Sequence, residues 1–120
     1  MSTVLLVEDE PSIRAFVALY LQRMNLKVVE AADAGAALEY LHLHDDVELI
    51  LTDYLMPGGT GLMLAESARE AGFGNIPVVI LTAYKDQIPE GPPVALVLEK
   101  PIRFEVLKEA LAPFISGRHL

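Results

Sequence analysis

Asp53 stands where an apolar run meets a loop, and it is the residue best placed to do chemistry. Val47 and Leu49 to Leu51 form a short apolar run typical of a buried strand, and the stretch 54–59 (YLMPGG) after Asp53 breaks regular structure. In an open α/β sheet, ligands bind at the edge where such strands end. Aspartate carboxylates are known acceptors in phosphoryl transfer. We therefore interpret Asp53 as a nucleophile that accepts a phosphoryl group.

Three other apolar runs end in side chains that suit the same reaction. These side chains are Glu8 and Asp9, Thr82, and Lys100. If the strands are parallel, all of them meet Asp53 at one edge, where two carboxylates about 4 Å apart repel by about 4 kcal/mol at an effective dielectric constant of about 20. Lys100 and a hard divalent cation such as Mg²⁺ would offset this repulsion. The Thr82 hydroxyl and the Lys100 ammonium would hold phosphoryl oxygens.

The elements that must position these side chains alternate between strands and helices. Apolar runs predict strands at Thr3 to Val7, Lys27 to Glu30, Val47 to Asp53, Pro77 to Leu81 and Val94 to Leu98. Helical spacing predicts helices that begin near Pro11, Asp33 and Thr60, the third of them closed by Gly72, and a last one from Phe104 that bends or stops near Pro113. Nearly continuous apolar strands indicate a parallel sheet covered on both faces. Glu10 is interpreted as a solvated charge at a helix start.

Composition narrows the classes of function. A length of 120 residues fits one domain, 1–120, and the absence of cysteine excludes disulfides and thiolate chemistry. The net charge of −8 disfavours direct binding of nucleic acid. We see no apolar run near the roughly 20 residues that span a bilayer and no signal peptide, so we expect a cytoplasmic protein without membrane contact. His42, His44 and His119 lack ligand spacing and are interpreted as surface groups.

From Val4 to about Ile115, the chain resembles the receiver domain of two-component response regulators. Four motifs occur in order, each at a predicted strand end: VLLVEDEP, LTDYLMPGGTG, VVILTAY and LEKPI. The resemblance implies a doubly wound, flavodoxin-like α/β fold with a five-stranded parallel sheet of order 2-1-3-4-5 and helices on both faces. It also implies a cis peptide bond between Lys100 and Pro101.

The resemblance further implies a metal site and a donor. Mg²⁺ (or Mn²⁺) would be bound by Asp9 and Asp53 directly, by Glu8 through water and by the backbone carbonyl of Leu55. A phosphohistidine on a sensor histidine kinase or a histidine phosphotransfer protein would donate the phosphoryl group, and an unidentified downstream protein would read the result. The chain would then be no enzyme beyond self-catalysed phosphoryl acceptance and slow autodephosphorylation.

The chain departs from the family pattern in the stretch after Thr82. Val97 occupies the position three residues before the lysine, where receivers usually carry an aromatic switch residue. Pro89, Gly91, Pro92 and Pro93 predict a fourth helix that is short, irregular or mobile. Tyr84 either takes over part of the switch role or is a plain exposed tyrosine. Leu55 and Tyr84 would flank the phosphoryl group and hinder attacking water.

Several other functions are alternatives to that of a stand-alone receiver. A phosphate sink or relay, or a degenerate receiver that serves only as an interaction module, would share its fold. A flavin-binding electron carrier would need a phosphate-cradling loop after the first strand, where Glu8-Asp9-Glu10 would repel the ligand. A phosphatase acting through a phospho-aspartate would need an aspartate at the position of Leu55.

Overall fold

The strands pair in parallel in the order expected for a doubly wound sheet. The computed structural model describes residues 2–115, so His119 lies outside the described residues. Within that range the main sheet consists of β1 (Thr3–Val7), β2 (Lys27–Ala31), β3 (Val47–Asp53), β4 (Val78–Thr82) and β5 (Leu96–Glu99). Their spatial order is β2-β1-β3-β4-β5, which confirms the predicted order 2-1-3-4-5.

Four α-helices in the described part of the chain cover this sheet. They are α1 (Pro11–Arg23), α2 (Ala34–Leu43), α3 (Gly61–Ala68) and α4 (Phe104–Leu111). As predicted, Asp33 and Thr60 cap α2 and α3: Asp33 Oδ1 accepts from the Ala36 amide at 2.8 Å, and Thr60 Oγ1 from the Met63 amide at 3.1 Å. A π-helical turn, Arg69–Phe73, continues α3. Gly72 within this turn has a φ of 99°, which is outside the helical range and ends the helix as predicted. A 3₁₀ turn, Ala112–Phe114, carries Pro113 and follows α4.

The core has two halves, one on each face of the sheet. Alternation along β1 sends Leu5 and Val7 to one face and Val4 and Leu6 to the other. The face of Leu5 and Val7 is covered by α2 and α3, and the opposite face by α1 and α4. β1 is buried and pairs with β2 and β3 along its whole length, which fixes the register of the strand end that precedes Glu8.

The stretch between β4 and β5, here called the 83–95 segment, contains no α-helix. Its regular structure is a 3₁₀ turn, Lys85–Gln87, and a bridge between Gly91 and Val94. Ile88 and Val94 are 5% and 4% exposed and pack into the core half shared with α2 and α3. This finding confirms the expectation of a short or irregular element in place of a regular fourth helix.

The predicted start of the fifth strand at Val94 is wrong by two residues. The Val94 amide donates to the Gly91 carbonyl at 3.0 Å and closes a turn, whereas the Ala95 amide donates to the Val78 carbonyl of β4 at 2.8 Å. The apolar character of Val94 therefore reflects burial of a loop side chain and not membership of the strand. Within residues 2–115, none of the helices is both long enough and apolar enough to cross a bilayer.

Candidate functional site

Charged side chains meet where β1, β3 and β5 end. Lys100, which follows β5, places its ammonium 2.8 Å from Asp53 Oδ1 and 3.4 Å from Glu8 Oε1. The side chains of Asp53 and Glu8 are 14% and 5% exposed, so the ion pairs are shielded from solvent. The parallel sheet thus unites residues that are 47 and 92 positions apart in sequence.

The backbone around Lys100 continues the sheet beyond β5. The Lys100 amide donates to the Thr82 carbonyl at 2.8 Å, and the Lys100–Pro101 peptide bond is cis, as the family resemblance implied. In the sheet register, Asp53 lies beside Leu81 and Thr82 beside Glu99. Thr82 therefore lies at the same edge as Asp53, one residue beyond its level.

Three carboxylates form a candidate cation site where the strands end, and together with Lys100 they are here called the acidic edge. Glu8, Asp9 and Asp53 each offer an oxygen, and these oxygens all lie within 4.8 Å of one another. One Lys100 ammonium leaves two of these negative charges uncompensated. Carboxylate oxygens are the ligands that Mg²⁺ prefers, so the donor set fits a hard divalent cation.

Burial and neighbouring charges shift the pKa values of Glu8 and Lys100. Burial raises the pKa of Glu8 above its ordinary value and the charge of Asp53 adds to this effect, although hydrogen bonds from the Glu10 amide and Lys100 act in the opposite direction. Burial alone would lower the pKa of Lys100, but the hydrogen bond and the attraction to Asp53, with a smaller contribution from Glu8, raise it instead. Lys100 is therefore held in its charged form.

The two oxygens of the Asp53 carboxylate differ in their hydrogen bonds. Among residues 2–115, its hydrogen bonds come from Lys100 and from the Tyr54 amide at 2.9 Å, and both go to Oδ1. Oδ2 is left available as a nucleophile. Thr82 is buried, and its Oγ1 accepts from the Tyr84 amide at 3.0 Å, so the hydroxyl proton can be donated elsewhere.

Gly61 is a constraint on the site that the sequence reasoning missed. A Cβ at this position would lie 2.6 Å from the Asp53 carbonyl oxygen and 3.0 Å from Thr52 Cγ2. The Gly61 amide also donates to the Tyr54 carbonyl at 2.7 Å. The start of α3 therefore packs directly on the backbone of the acceptor residue, and only glycine fits there. The glycine-rich loop hinted at a close approach, but its contact with Asp53 could not be read from the sequence.

The other predicted positions are a helix cap, two exposed side chains and one core residue. Glu10 caps α1 by accepting from the Ser12 amide at 3.0 Å, which confirms its interpretation as a helix-start charge, and the Ser12 bonds hold the pKa of Glu10 below its ordinary value. Leu55 and Tyr84 are 59% and 57% exposed. Val97 is 1% exposed and fills the core in place of a switchable aromatic.

The chain matches a known family along most of its length. The family model described as "Response regulator receiver domain" matches residues 4–112. The phosphate regulon transcriptional regulatory protein PhoB of Klebsiella pneumoniae is 42% identical over 81 residues, which are 67% of this chain and 35% of PhoB. The chain thus spans about a third of that regulator. The two-component response regulator ORR8 of Oryza sativa subsp. indica is 38% identical over 88 residues, which are 72% of this chain and 71% of ORR8.

Solved structures show the same fold. The response regulator TrrA of Thermotoga maritima, crystallised in complex with Mg²⁺-BeF, superposes with a TM-score of 0.83 at 26% identity and covers 95% of this chain and 99% of its own. The receiver domain of the hybrid histidine kinase CckA gives a TM-score of 0.77 at 30% identity, over 93% of this chain and 97% of its own. These likenesses agree with the fold and strand order described above.

Proposed function

The chain belongs to the response regulator receiver family, and on that premise we propose that Asp53 accepts a phosphoryl group in a Mg²⁺-dependent reaction. Receiver domains are generally switch domains and not enzymes. The observation that carries the proposal is the environment of Asp53: one carboxylate oxygen is bonded to Lys100, the other is open, and two further carboxylates lie alongside.

The assignment of the metal ligands rests on the family resemblance and, for the three carboxylates, on their proximity. Asp9 and Asp53 would bind Mg²⁺ (or Mn²⁺) directly, Glu8 would bind it through water, and the Leu55 backbone carbonyl would complete the protein ligands. The carboxylate oxygens within 4.8 Å of one another and the two uncompensated charges support the choice of Glu8, Asp9 and Asp53. Bound Mg²⁺ supplies positive charge to phosphoryl oxygens during transfer. The Mg²⁺-BeF complex of TrrA is consistent with such a site in a relative.

The transfer itself needs few protein groups. Asp53 Oδ2 attacks the phosphorus of a phosphohistidine on a sensor histidine kinase or a histidine phosphotransfer protein. The O–P bond forms as the N–P bond breaks, and the imidazole nitrogen leaves with the electron pair. The Lys100 ammonium and the Thr82 hydroxyl donate to the phosphoryl oxygens, which places fixed charge where the transition state needs it.

Transmission of the signal uses a different route from an aromatic switch, because Val97 has no ring to move. The Tyr84 amide is bonded to Thr82 Oγ1, which ties the start of the 83–95 segment to the hydroxyl. When the hydroxyl turns toward the phosphoryl group, this bond is broken or carried along, and the 83–95 segment shifts. A downstream protein, not nucleic acid or membrane, then binds one state in preference to the other. We place this receiver domain in the cytoplasm.

A phosphate sink or relay is the second candidate. The absence of a regular helix in the 83–95 segment and the valine at position 97 favour it. A sink would show the same acceptance chemistry without any change in the 83–95 segment.

Intact-mass analysis after incubation with acetyl phosphate tests the acceptance step. We expect one phosphoryl adduct that requires both Mg²⁺ and Asp53 and is absent from Asp53→Asn. Asp86→Asn, an exposed aspartate of the 83–95 segment, is the matched control and should react like the wild type. An adduct that persists in Asp53→Asn, or no adduct in the wild type together with no Mg²⁺ binding, would contradict the proposal.

A further inference from the structure

Arg14 links the acidic loop after β1 to the end of β2. Its Nη1 donates to the Glu8 carbonyl oxygen at 2.8 Å, and its Nε donates to Glu30 Oε1 at 3.1 Å. The Arg14 side chain is 21% exposed, so most of it lies against the protein. The sequence alone does not indicate these contacts, because Arg14 lies on α1 and reaches back across the loop.

The carbonyl that Arg14 binds belongs to the peptide unit joining Glu8 to Asp9. The Glu8 amide is already fixed, since it donates to the Ala31 carbonyl at 3.0 Å. With its amide and its carbonyl both bonded, Glu8 has little freedom in its backbone dihedrals. The orientation of the next peptide plane, and hence the direction of the Asp9 side chain, is set by the Arg14 bond.

Asp9 depends on this backbone bond more than its neighbours do. Among the described residues, none donates a hydrogen bond to the Asp9 carboxylate, whereas Glu8 and Asp53 both bind Lys100. A carboxylate without a bonding partner of its own is aimed mainly by its main chain. The Arg14 bond therefore orients the Asp9 carboxylate through the backbone, whereas Lys100 orients the other two carboxylates by direct contact.

We propose that Arg14 is a positioning residue that aims the Asp9 carboxylate at the cation. This inference rests on the proposed Mg²⁺ site. The ion pair to Glu30 is the lesser part of the role, because the Glu30 side chain is 45% exposed and exposed pairs contribute little stability. The bond to the Glu8 carbonyl is the part that the metal site requires.

Charge and positioning make opposite predictions for Arg14. A positive guanidinium near a cation site repels the cation, so its removal as a charge would strengthen Mg²⁺ binding. Its removal as a positioning group would weaken binding, since loss of groups that orient metal ligands typically costs about 10- to 100-fold in affinity. The sign of the change in affinity separates the two roles.

Calorimetric titration of the apo protein with MgCl₂ provides the test. We expect Arg14→Met to raise the Kd for Mg²⁺ on the order of tenfold. Arg14→Lys, which keeps the charge and one donor nitrogen, should restore part of the affinity. Glu30→Gln, which keeps an acceptor for Arg14, should stay close to wild type. Arg23→Met removes the same charge from the far end of α1, where Arg23 stacks on Phe104 at 4.0 Å, and should not weaken binding.

The melting temperature of each variant, measured without Mg²⁺, separates positioning from general loosening. A lower melting temperature for Arg14→Met with an unchanged Kd would overturn the inference and leave a structural role. A lower Kd would also overturn it, in favour of a charge effect. Absence of Mg²⁺ binding by the wild type would instead refute the proposed metal site itself, and the inference with it.

Discussion

The acidic edge and the 83–95 segment lie side by side at the end of β4, yet they are built in different ways. At the acidic edge, four charged side chains are held by strand ends whose register is fixed by a fully buried β1. The 83–95 segment has one short 3₁₀ turn and is fastened by two buried side chains, Ile88 and Val94. The sheet therefore fixes the positions of the side chains for phosphoryl transfer. The position of the 83–95 segment, which would transmit the signal, depends on a few contacts.

This difference implies that a substitution in one region should leave the function of the other region intact. Changes at the acidic edge should abolish phosphoryl acceptance, whereas changes in the 83–95 segment should alter stability or lifetime and leave acceptance intact. Thr82 is the exception, because its hydroxyl would donate to the phosphoryl group and its Oγ1 also accepts from the Tyr84 amide.

Replacement of Lys100 should give the largest effect on chemistry. Lys100→Met removes the ammonium that binds both Asp53 and Glu8, and we expect the rate of acceptance from acetyl phosphate to fall about 10²- to 10³-fold. Intact-mass time courses at saturating Mg²⁺ measure this rate. Lys108→Met, at an exposed lysine of α4, is the control. A rate near that of the wild type would show that the acidic edge does not depend on this charge.

Gly61→Ala should show how tightly the acidic edge is built. The added Cβ would meet the Asp53 carbonyl at 2.6 Å, so we expect a loss of about 1–3 kcal/mol in the free energy of unfolding, with slower acceptance. Urea denaturation measures the stability. Gly35→Ala in α2, whose Cβ would stay 3.4 Å from its nearest neighbour, should be neutral or stabilising. Equal stability of the two variants would contradict the close contact.

Ile88→Ala tests the 83–95 segment in the same way. Ile88 is buried, so truncation should cost about 2 kcal/mol, at the low end for isoleucine because an irregular segment can partly close the cavity. The rate of acceptance should be unchanged. Ile13→Ala, the same change at a side chain that is 41% exposed, should cost much less. Loss of acceptance in Ile88→Ala would show that the two regions are not separable.

The smallest expected effect concerns the lifetime of the phosphoryl group. Leu55→Asn combined with Tyr84→Glu replaces two exposed, water-excluding side chains with groups that can orient water. We expect roughly tenfold faster loss of the adduct, which is less than a full general-base effect of about 10²- to 10⁴-fold. Decay followed by intact mass gives the half-life, and Leu43→Asn on α2 is the control. An unchanged half-life would refute the role of these two side chains.

The sheet could be predicted because its strands carry their own signal. The runs TVLLV, VELILTD and VVILT are largely apolar, and each ends in a polar residue or is followed by one. The sequence therefore predicts β1 and β3 at their observed bounds and β4 within one residue of them. The strand order came from the family resemblance and not from periodicity. The polar ends of the strands then placed the acidic edge.

What could not be predicted depends on contacts between distant residues. The apolar stretch VALVL indicated a strand from Val94, but a turn closed at Gly91 delays β5 until Leu96. The contact of Gly61 with the Asp53 backbone and the reach of Arg14 to the Glu8 carbonyl arise only once helices pack on the sheet. No local propensity encodes either contact.

Transmission from the acidic edge to the 83–95 segment is tested most directly by amide NMR shifts. Spectra of the protein with Mg²⁺ are compared before and after addition of beryllofluoride, which mimics a phosphoryl group on Asp53. We predict large shifts from Tyr84 to Val94 in the wild type, and their loss in Thr82→Val, which keeps the shape of the side chain but lacks the hydroxyl. Shifts confined to the neighbourhood of Asp53, or shifts of the 83–95 segment that persist in Thr82→Val, would contradict a switch that acts through the Thr82–Tyr84 bond.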